Sequence, residues 1–178
     1  MAFNDLVSPK AKTELFKIYV DVSSGTTPEY ELQGRGVAEW TVDNSEDIEK
    51  NIDVLGYVEM DRGVAQPVQS GVAIKLRKGS KLAELLFNAW YSGDKSKLDS
   101  ISILQKFEFI DAPIAEGETV ATSCLAKLEK GCVISLNSFN GEAGGYLGFE
   151  IDINYSNDRV LGTMTKVDAN PVVFTPNT

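Results

Sequence analysis

The dominant period along the chain is two. In Leu147-Gly148-Phe149-Glu150-Ile151-Asp152-Ile153-Asn154-Tyr155 the odd positions are all apolar and the even ones are glycine or polar. Successive side chains of a strand point to opposite faces, so the pattern predicts a half-buried strand with one wet face. The same alternation marks Ile18, Val20 and Val22; Val72, Ile74 and Leu76; and Ile101, Ile103, Phe107 and Phe109. It recurs at Val120, Cys124, Ala126 and Leu128, and at Cys132, Ile134 and Leu136. Less regular strands are expected around Val37–Val42, Ile52–Met60, Val160–Val167 and Val172–Phe174. Alternation of this kind favours antiparallel sheets with one solvated face over buried parallel sheets, so the expected fold is mainly β.

One segment breaks the period. Leu82, Leu85, Leu86, Ala89 and Trp90 fall at i, i+3, i+4, i+7 and i+8, an apolar stripe on a helix predicted over Ser80–Tyr91. Gly79-Ser80 supplies the N-cap and Gly93 the left-handed residue past the C-terminus. The stripe predicts a helix lying on a sheet with Trp90 buried.

Turn chemistry punctuates the strands. Glu129-Lys130-Gly131 predicts a short hairpin loop with glycine in the left-handed position, and Asn157-Asp158 the link from the strand ending near Tyr155 to the next. Two longer connections are expected: Asp43–Asn51, acidic and centred on Ile48, and the Gly-rich turn Asn140–Gly145. No repeat, linker or low-complexity tract divides the chain, which reads as a single domain over residues 1–178 with mobile termini.

Composition excludes more chemistry than it suggests. The chain of 178 residues is 43% hydrophobic and 24% charged, contains two Cys and has no His. Without imidazole there is no Ser-His-Asp or Cys-His nucleophile and no His metal ligand. Cys124 and Cys132 are too few for a disulfide scaffold or a thiolate zinc site and read as small core hydrophobes. A net charge of −9 with scattered Lys and Arg opposes ordinary nucleic-acid binding and anionic membranes. The start, Met1-Ala2-Phe3-Asn4-Asp5, shows no apolar leader, and no apolar run is long enough to span a bilayer. The reading is a cytoplasmically made, soluble protein.

Each chemical candidate is outweighed by a plainer reading. Gly141, Gly144, Gly145 and Gly148 run from strand to strand with no helix N-terminus to hold a phosphate. Asp43, Asp47 and Glu49 suggest a calcium loop, but Ile48 stands where that loop needs Gly, and Val54 where it needs a bidentate Glu. Glu150 and Asp152 share a strand face about 6–7 Å apart, between the two glycosidase spacings, and fit a wet or lumen-facing sheet surface better. Tyr30, Trp40 and Tyr57 fit sheet packing. No catalytic constellation, cofactor site or metal site is expected, and the chain is not read as an enzyme.

The order of features resembles the major tail tube proteins of long-tailed bacteriophages, mainly the non-contractile type, from about Leu15 to Pro176. The resemblance rests on the helix at Ser80–Tyr91, the long loop Asp43–Asn51, Gly144-Gly145, the stretch Leu161-Gly162-Thr163-Met164-Thr165 and the ending Val173-Phe174-Thr175-Pro176. It implies a β-sandwich or partial barrel with one flanking helix, and a structural virion protein. Members of that family form hexameric rings in which neighbouring sheets join into one barrel around a channel. Rings stack into the tube through which DNA is ejected.

On that resemblance the partners are copies of the chain and other tail proteins, with DNA passing unbound and no membrane. The location is the virion tail, assembled in the bacterial cytoplasm. Asp43, Asp47, Ile48, Glu49 and Asn51 would make inter-ring contacts, and Glu150 and Asp152 would face the channel. The acidity of Asp43–Asn51 departs from what stacking on a like-charged neighbour requires. Two alternatives stand beside this reading: a β-sandwich module binding a carbohydrate or cell-surface ligand, with Trp40 and Tyr57 on its face, and another phage tail part such as a tail terminator.

Overall fold

The computed structural model describes residues 13–33, 41–44, 48–52, 54–63, 65–114, 120–141, 143 and 145–177. The strands are β1 (Phe16–Asp21), β2 (Tyr30–Leu32), β3 (Thr41–Asp43), β4 (Ile48–Ile52), β5 (Val58–Arg62) and β6 (Val68–Lys75). After the helix α1 (Lys81–Ser92) come β7 (Ile101–Asp111), β8 (Ser123–Gly141), β9 (Leu147–Asn154), β10 (Asp158–Thr165) and β11 (Thr175–Pro176). The expectation of a mainly β, antiparallel fold with one flanking helix holds. Nine strands form one antiparallel sheet that is not closed into a barrel, and β4 and β5 form a separate ribbon.

The sheet turns its corner through β8, a strand of 19 residues. Its first half pairs with β7 and β10, and its second half pairs with β9, which continues to β6 and β3. The hairpin expected at Glu129-Lys130-Gly131 is therefore absent, and the chain runs straight through it. Gly131 does take a left-handed backbone, with φ of 66°, but it bends the strand where a turn would reverse it. Asn157, also with φ of 66°, bends the opposing chain between β9 and β10. Because β9 and β10 both run antiparallel to β8, this link changes sheet halves and closes no hairpin. A left-handed residue between two alternating runs marks a bulge or a turn equally well, and the alternation around it cannot tell them apart.

Two apolar clusters result. The larger joins Val20, Ile103, Ile134, Phe149, Ile151 and Ile153 to Leu82, Leu86 and Ala89 of α1. Each fully buried aliphatic or Phe side chain there contributes about 1.5–3 kcal/mol of transfer free energy. The smaller, on the opposite face of β1, β7 and β8, holds Tyr19, Leu104, Cys124, Ala126 and Met164, with Val172 and Phe174 packed against it. Both cysteines are fully buried and free, one in each cluster.

The helix is set by its caps. Ser80 Oγ accepts from the Ala83 amide at 3.2 Å, and Gly93 follows in the left-handed region. The Glu31 carboxylate, from β2, accepts from Ser80 Oγ at 2.6 Å and from the Leu82 amide at 2.9 Å. It satisfies a second orphan N–H and places a negative charge on the positive end of the helix dipole. Trp90 departs from expectation: it is 46% exposed, at the edge of the stripe, its ring tilted against Phe139 at 4.7 Å.

The loop Asp43–Asn51 is also reorganised. Residues 48–52 are strand, and the hairpin turn lies at Val54–Tyr57, inside the stretch expected as a strand over Ile52–Met60. At the C-terminal end, strand structure falls on Thr175–Pro176 instead of Val172–Phe174, where Val172 and Phe174 pack on the smaller cluster and Val173 is exposed. Of the strand expected over Val37–Val42, residues 37–40 lie outside the described residues.

Candidate assembly surfaces

Four surfaces follow from this arrangement. The first is the β4–β5 ribbon. Register pairs Ile48 with Arg62, Lys50 with Met60 and Ile52 with Val58, so Ile48, Ile52, Val58 and Met60 share one face with Lys50. The intervening positions Glu49, Asn51, Glu59 and Asp61 are all polar. Ile52 is 64% exposed and Met60 70%, and Val54 at the turn is fully exposed. A two-stranded ribbon is at best marginal alone in water, and this one presents its apolar face outward.

Of the residues expected to make inter-ring contacts, Asp43 ends β3 and is exposed, while Ile48, Glu49 and Asn51 lie on β4. Asp47 lies outside the described residues. The sequence reading missed Ile52, Val58 and Met60. Their signal was present as two short alternating runs about Leu55-Gly56.

The second surface is the face of β6, β8 and β9 turned away from α1. Glu150 and Asp152 lie on it, half-buried, beside Ser135, Ser138 and Asn154. The two acids differ in role. Between Gln69 and Val72 the β6 ladder slips, with Gly71 in the left-handed region, and the Gly71 amide donates to Asp152 Oδ1 at 2.8 Å. Asp152 therefore staples a bulge, whereas among the described residues the one hydrogen bond to Glu150 comes from Ser138 Oγ, at 3.5 Å.

The third is the strap Lys166–Pro176. Lys106 is 1% exposed; its Nζ donates to Lys166 O and Asp168 Oδ1, each at 3.0 Å, and lies 2.6 Å from Glu108 Oε1. Lys17 Nζ reaches Asp168 at 2.6 Å and Glu108 at 2.9 Å. The Lys17 hydrogen bond leads in holding the Asp168 carboxyl below its ordinary range, with Lys106 assisting. Burial would lower the Lys17 ammonium, but Asp168 and Glu108 outweigh it and raise it. Burial, with Asp168 nearby, pushes the Tyr19 phenol up to about 12. Further along, Phe174 lies over Gly162: a Cβ there would sit 2.3 Å from Thr175 O and 2.6 Å from the Phe174 ring.

The fourth is an aromatic patch. Phe87, Trp90 and Tyr91 are exposed along α1, with Phe87 stacked on Tyr91 at 5.9 Å. Of the aromatics weighed for ligand binding, Tyr57 is exposed in the ribbon turn, and Tyr30 is half-buried against the smaller cluster. Trp40 lies outside the described residues. Burial raises both thiols, Cys132 to about 11. Among the described residues no group of three or more Cys, Asp or Glu is placed to hold a metal ion.

Comparison with protein-family models finds no match, and no curated protein matches by sequence. Solved structures do match. The sheath/tube terminator of an extracellular contractile injection system (PVC, extended state) aligns with a TM-score of 0.50 at 12% identity. The alignment covers 89% of this chain and 99% of that one. A chain of the PVC sheath-tube complex gives a TM-score of 0.48 at 12% identity over 89% of this chain and 94% of its own. A chain of the anti-feeding prophage cap, a tube-terminating cap, gives 0.46 at 13% identity over 93% and 99%. The terminator shares the fold of this chain; the first two neighbours are parts of an extracellular contractile injection system and the third is a tube-terminating cap, none a non-contractile major tail tube protein.

Proposed function

We propose that the chain is a structural subunit of a phage tail or tail-derived tube, not an enzyme, and that it works as a ring on the tube axis. The observation that carries this is the bent, unclosed nine-stranded sheet, a fold shared along almost the whole length of a tube terminator. Among the described residues β2, β3 and β11 each have one strand neighbour in that sheet, leaving open edges. Open edges are a template for lateral pairing, and a ring removes them. The comparison favours a ring that ends a tube. A specific feature favours the stacked ring of a major tail tube instead: the acidic Asp43 of β3 pairs at the first residue of β6, and the basic Lys75 is its last.

In either case the polar face with Glu150 and Asp152 lines the channel, where negative charge repels a passing duplex. The β4–β5 ribbon, with Ile48, Glu49 and Asn51, reaches the adjoining ring. The partners are copies of the chain and other tail proteins, and the location is the particle's tail. Sedimentation velocity over a rising concentration series tests the ring. We expect a cooperative passage from monomer to one closed species. An open ladder of dimers, trimers and tetramers, or a monomer throughout, would overturn it.

A further inference from the structure

The acidic stretch that begins at Asp43 contains Asp43, Glu46, Asp47 and Glu49 within seven residues. A chain with net charge −9 gains nothing by stacking such a segment on a like-charged neighbour. The structure supplies a counter-surface. Asp43 pairs with Val68 at the start of β6, and Lys75, which pairs with Gly148, closes the same strand. Seven residues of strand separate those ends by about 20 Å, so the acidic stretch starts two Debye lengths at about 0.1 M salt from the residues around Lys75.

At the Lys75 end lie Lys75, Arg77 and Lys78, all exposed. Among the described residues none of the three has a carboxylate within ion-pair distance. Lys75 and Arg77 instead sit 5.6 and 5.9 Å from the centre of the Tyr146 ring. Lys81, the next cation along the chain, is already taken by Glu29. Beside them a cavity of about 140 Å³ is lined by Glu31, Gln33, Lys75, Arg77, Lys78 and Ser80. Gln33 is 4% exposed, and among the described residues neither polar atom of its amide has a hydrogen-bond partner. A side-chain amide offers one donor and one acceptor side, the pair a peptide group answers.

We propose that the Lys75–Arg77–Lys78 surface with its cavity is the docking site for the acidic Asp43–Glu49 stretch of a second copy of this chain. The two ends are complementary and lie at opposite ends of one strand, so the contact is head-to-tail. A heterologous contact along an axis repeats, and rings that carry it stack. This rests on the ring reading and adds what that reading lacks: the receiving residues and the reason for the loop's acidity.

Charge swapping tests it in the full chain. One variant carries Asp43→Lys and Glu49→Lys, another Arg77→Glu and Lys78→Glu, and a third all four changes; unchanged circular dichroism shows that each folds. Association is measured by sedimentation at low salt, and particles are viewed by electron microscopy. Each two-site variant should lose about tenfold in association constant and give single rings where the wild type stacks; the four-site variant should recover both. Wild-type association should weaken as salt rises. Two-site variants that stack like the wild type, or a four-site variant as weak as the two-site ones, would overturn the docking site and leave the ring standing. Charge-dependent association without rings would keep the docking site and overturn the ring. A wild type that stays monomeric would overturn both.

Discussion

Gly162→Ala is the most informative single change in the C-terminal strap. The new Cβ would meet Thr175 O at 2.3 Å and the Phe174 ring at 2.6 Å, and because the nearer atom is backbone no rotamer change relieves it. The strap must move off β10, breaking the pairs Gly162–Pro176 and Thr163–Thr175 and lifting Phe174 from the smaller apolar cluster. Overpacking of this kind costs about 1–3 kcal/mol. Local opening of the strap should therefore become about 5- to 150-fold more frequent, at 1.4 kcal/mol per tenfold.

The two free thiols read this out separately. Cys124 lies in the cluster that Val172 and Phe174 cover, and Cys132 lies in the larger cluster under α1. Labelling with a thiol reagent, resolved by mass spectrometry, should accelerate at Cys124 within that range. Cys132 should change only as far as global stability falls in urea. Unchanged Cys124 protection, or equal acceleration at both thiols, would refute the argument that the strap is a separate lid seated on Gly162.

Three further changes test other contacts. Glu31→Ala removes the carboxylate that accepts from Ser80 and Leu82 and should cost about 1–2 kcal/mol in urea unfolding; no loss would mean the helix terminus is satisfied without it. Asp152→Ala leaves the Gly71 amide without its acceptor and should cost about 1–2 kcal/mol, whereas Glu150→Ala should fall within about 0.5; equal losses would contradict the separate roles assigned to the two acids. The Asp168 carboxyl is depressed in the folded state, so its stabilisation is complete above its ordinary value of 3.8 and is lost as pH falls below it toward the folded value. Asp168→Asn should accordingly flatten the acid limb of the stability profile below about pH 4 while lowering stability at neutral pH, and an unchanged acid limb would sink the assignment.

Period-two alternation carried most of the strands, because a strand with one wet face writes its geometry into every second residue. The capped helix was legible for the same reason, through its 3.6-residue stripe with Ser80 and Gly93 at its ends. Pairing partners were not legible. Whether Gly131 bends a strand or reverses it depends on where β7, β9 and β10 lie, and those contacts are remote in sequence. Trp90 was misread because a stripe gives the direction of a face and not the width of the sheet beneath it. The ribbon's apolar face went unseen since Ile48 and Ile52 stand among Asp47, Glu49, Asn51 and Asp53, polar residues that suggest a loop. Glu150 and Asp152 were correctly placed on one strand face, but the bulge that employs Asp152 comes from Gly71, 81 residues away. Lys106 and Asp168 gave no local signal at all, their ion pair forming only when the strap folds back over β7.

The central claim, a ring-forming subunit of a tail-type tube, is tested most directly by negative-stain electron microscopy of the purified chain, concentrated at low salt and side by side with a dilute sample. The account predicts annular particles with a stain-filled centre, stacking into hollow tubes as concentration rises. A field of featureless particles of the 19.4 kDa chain at every concentration would contradict it.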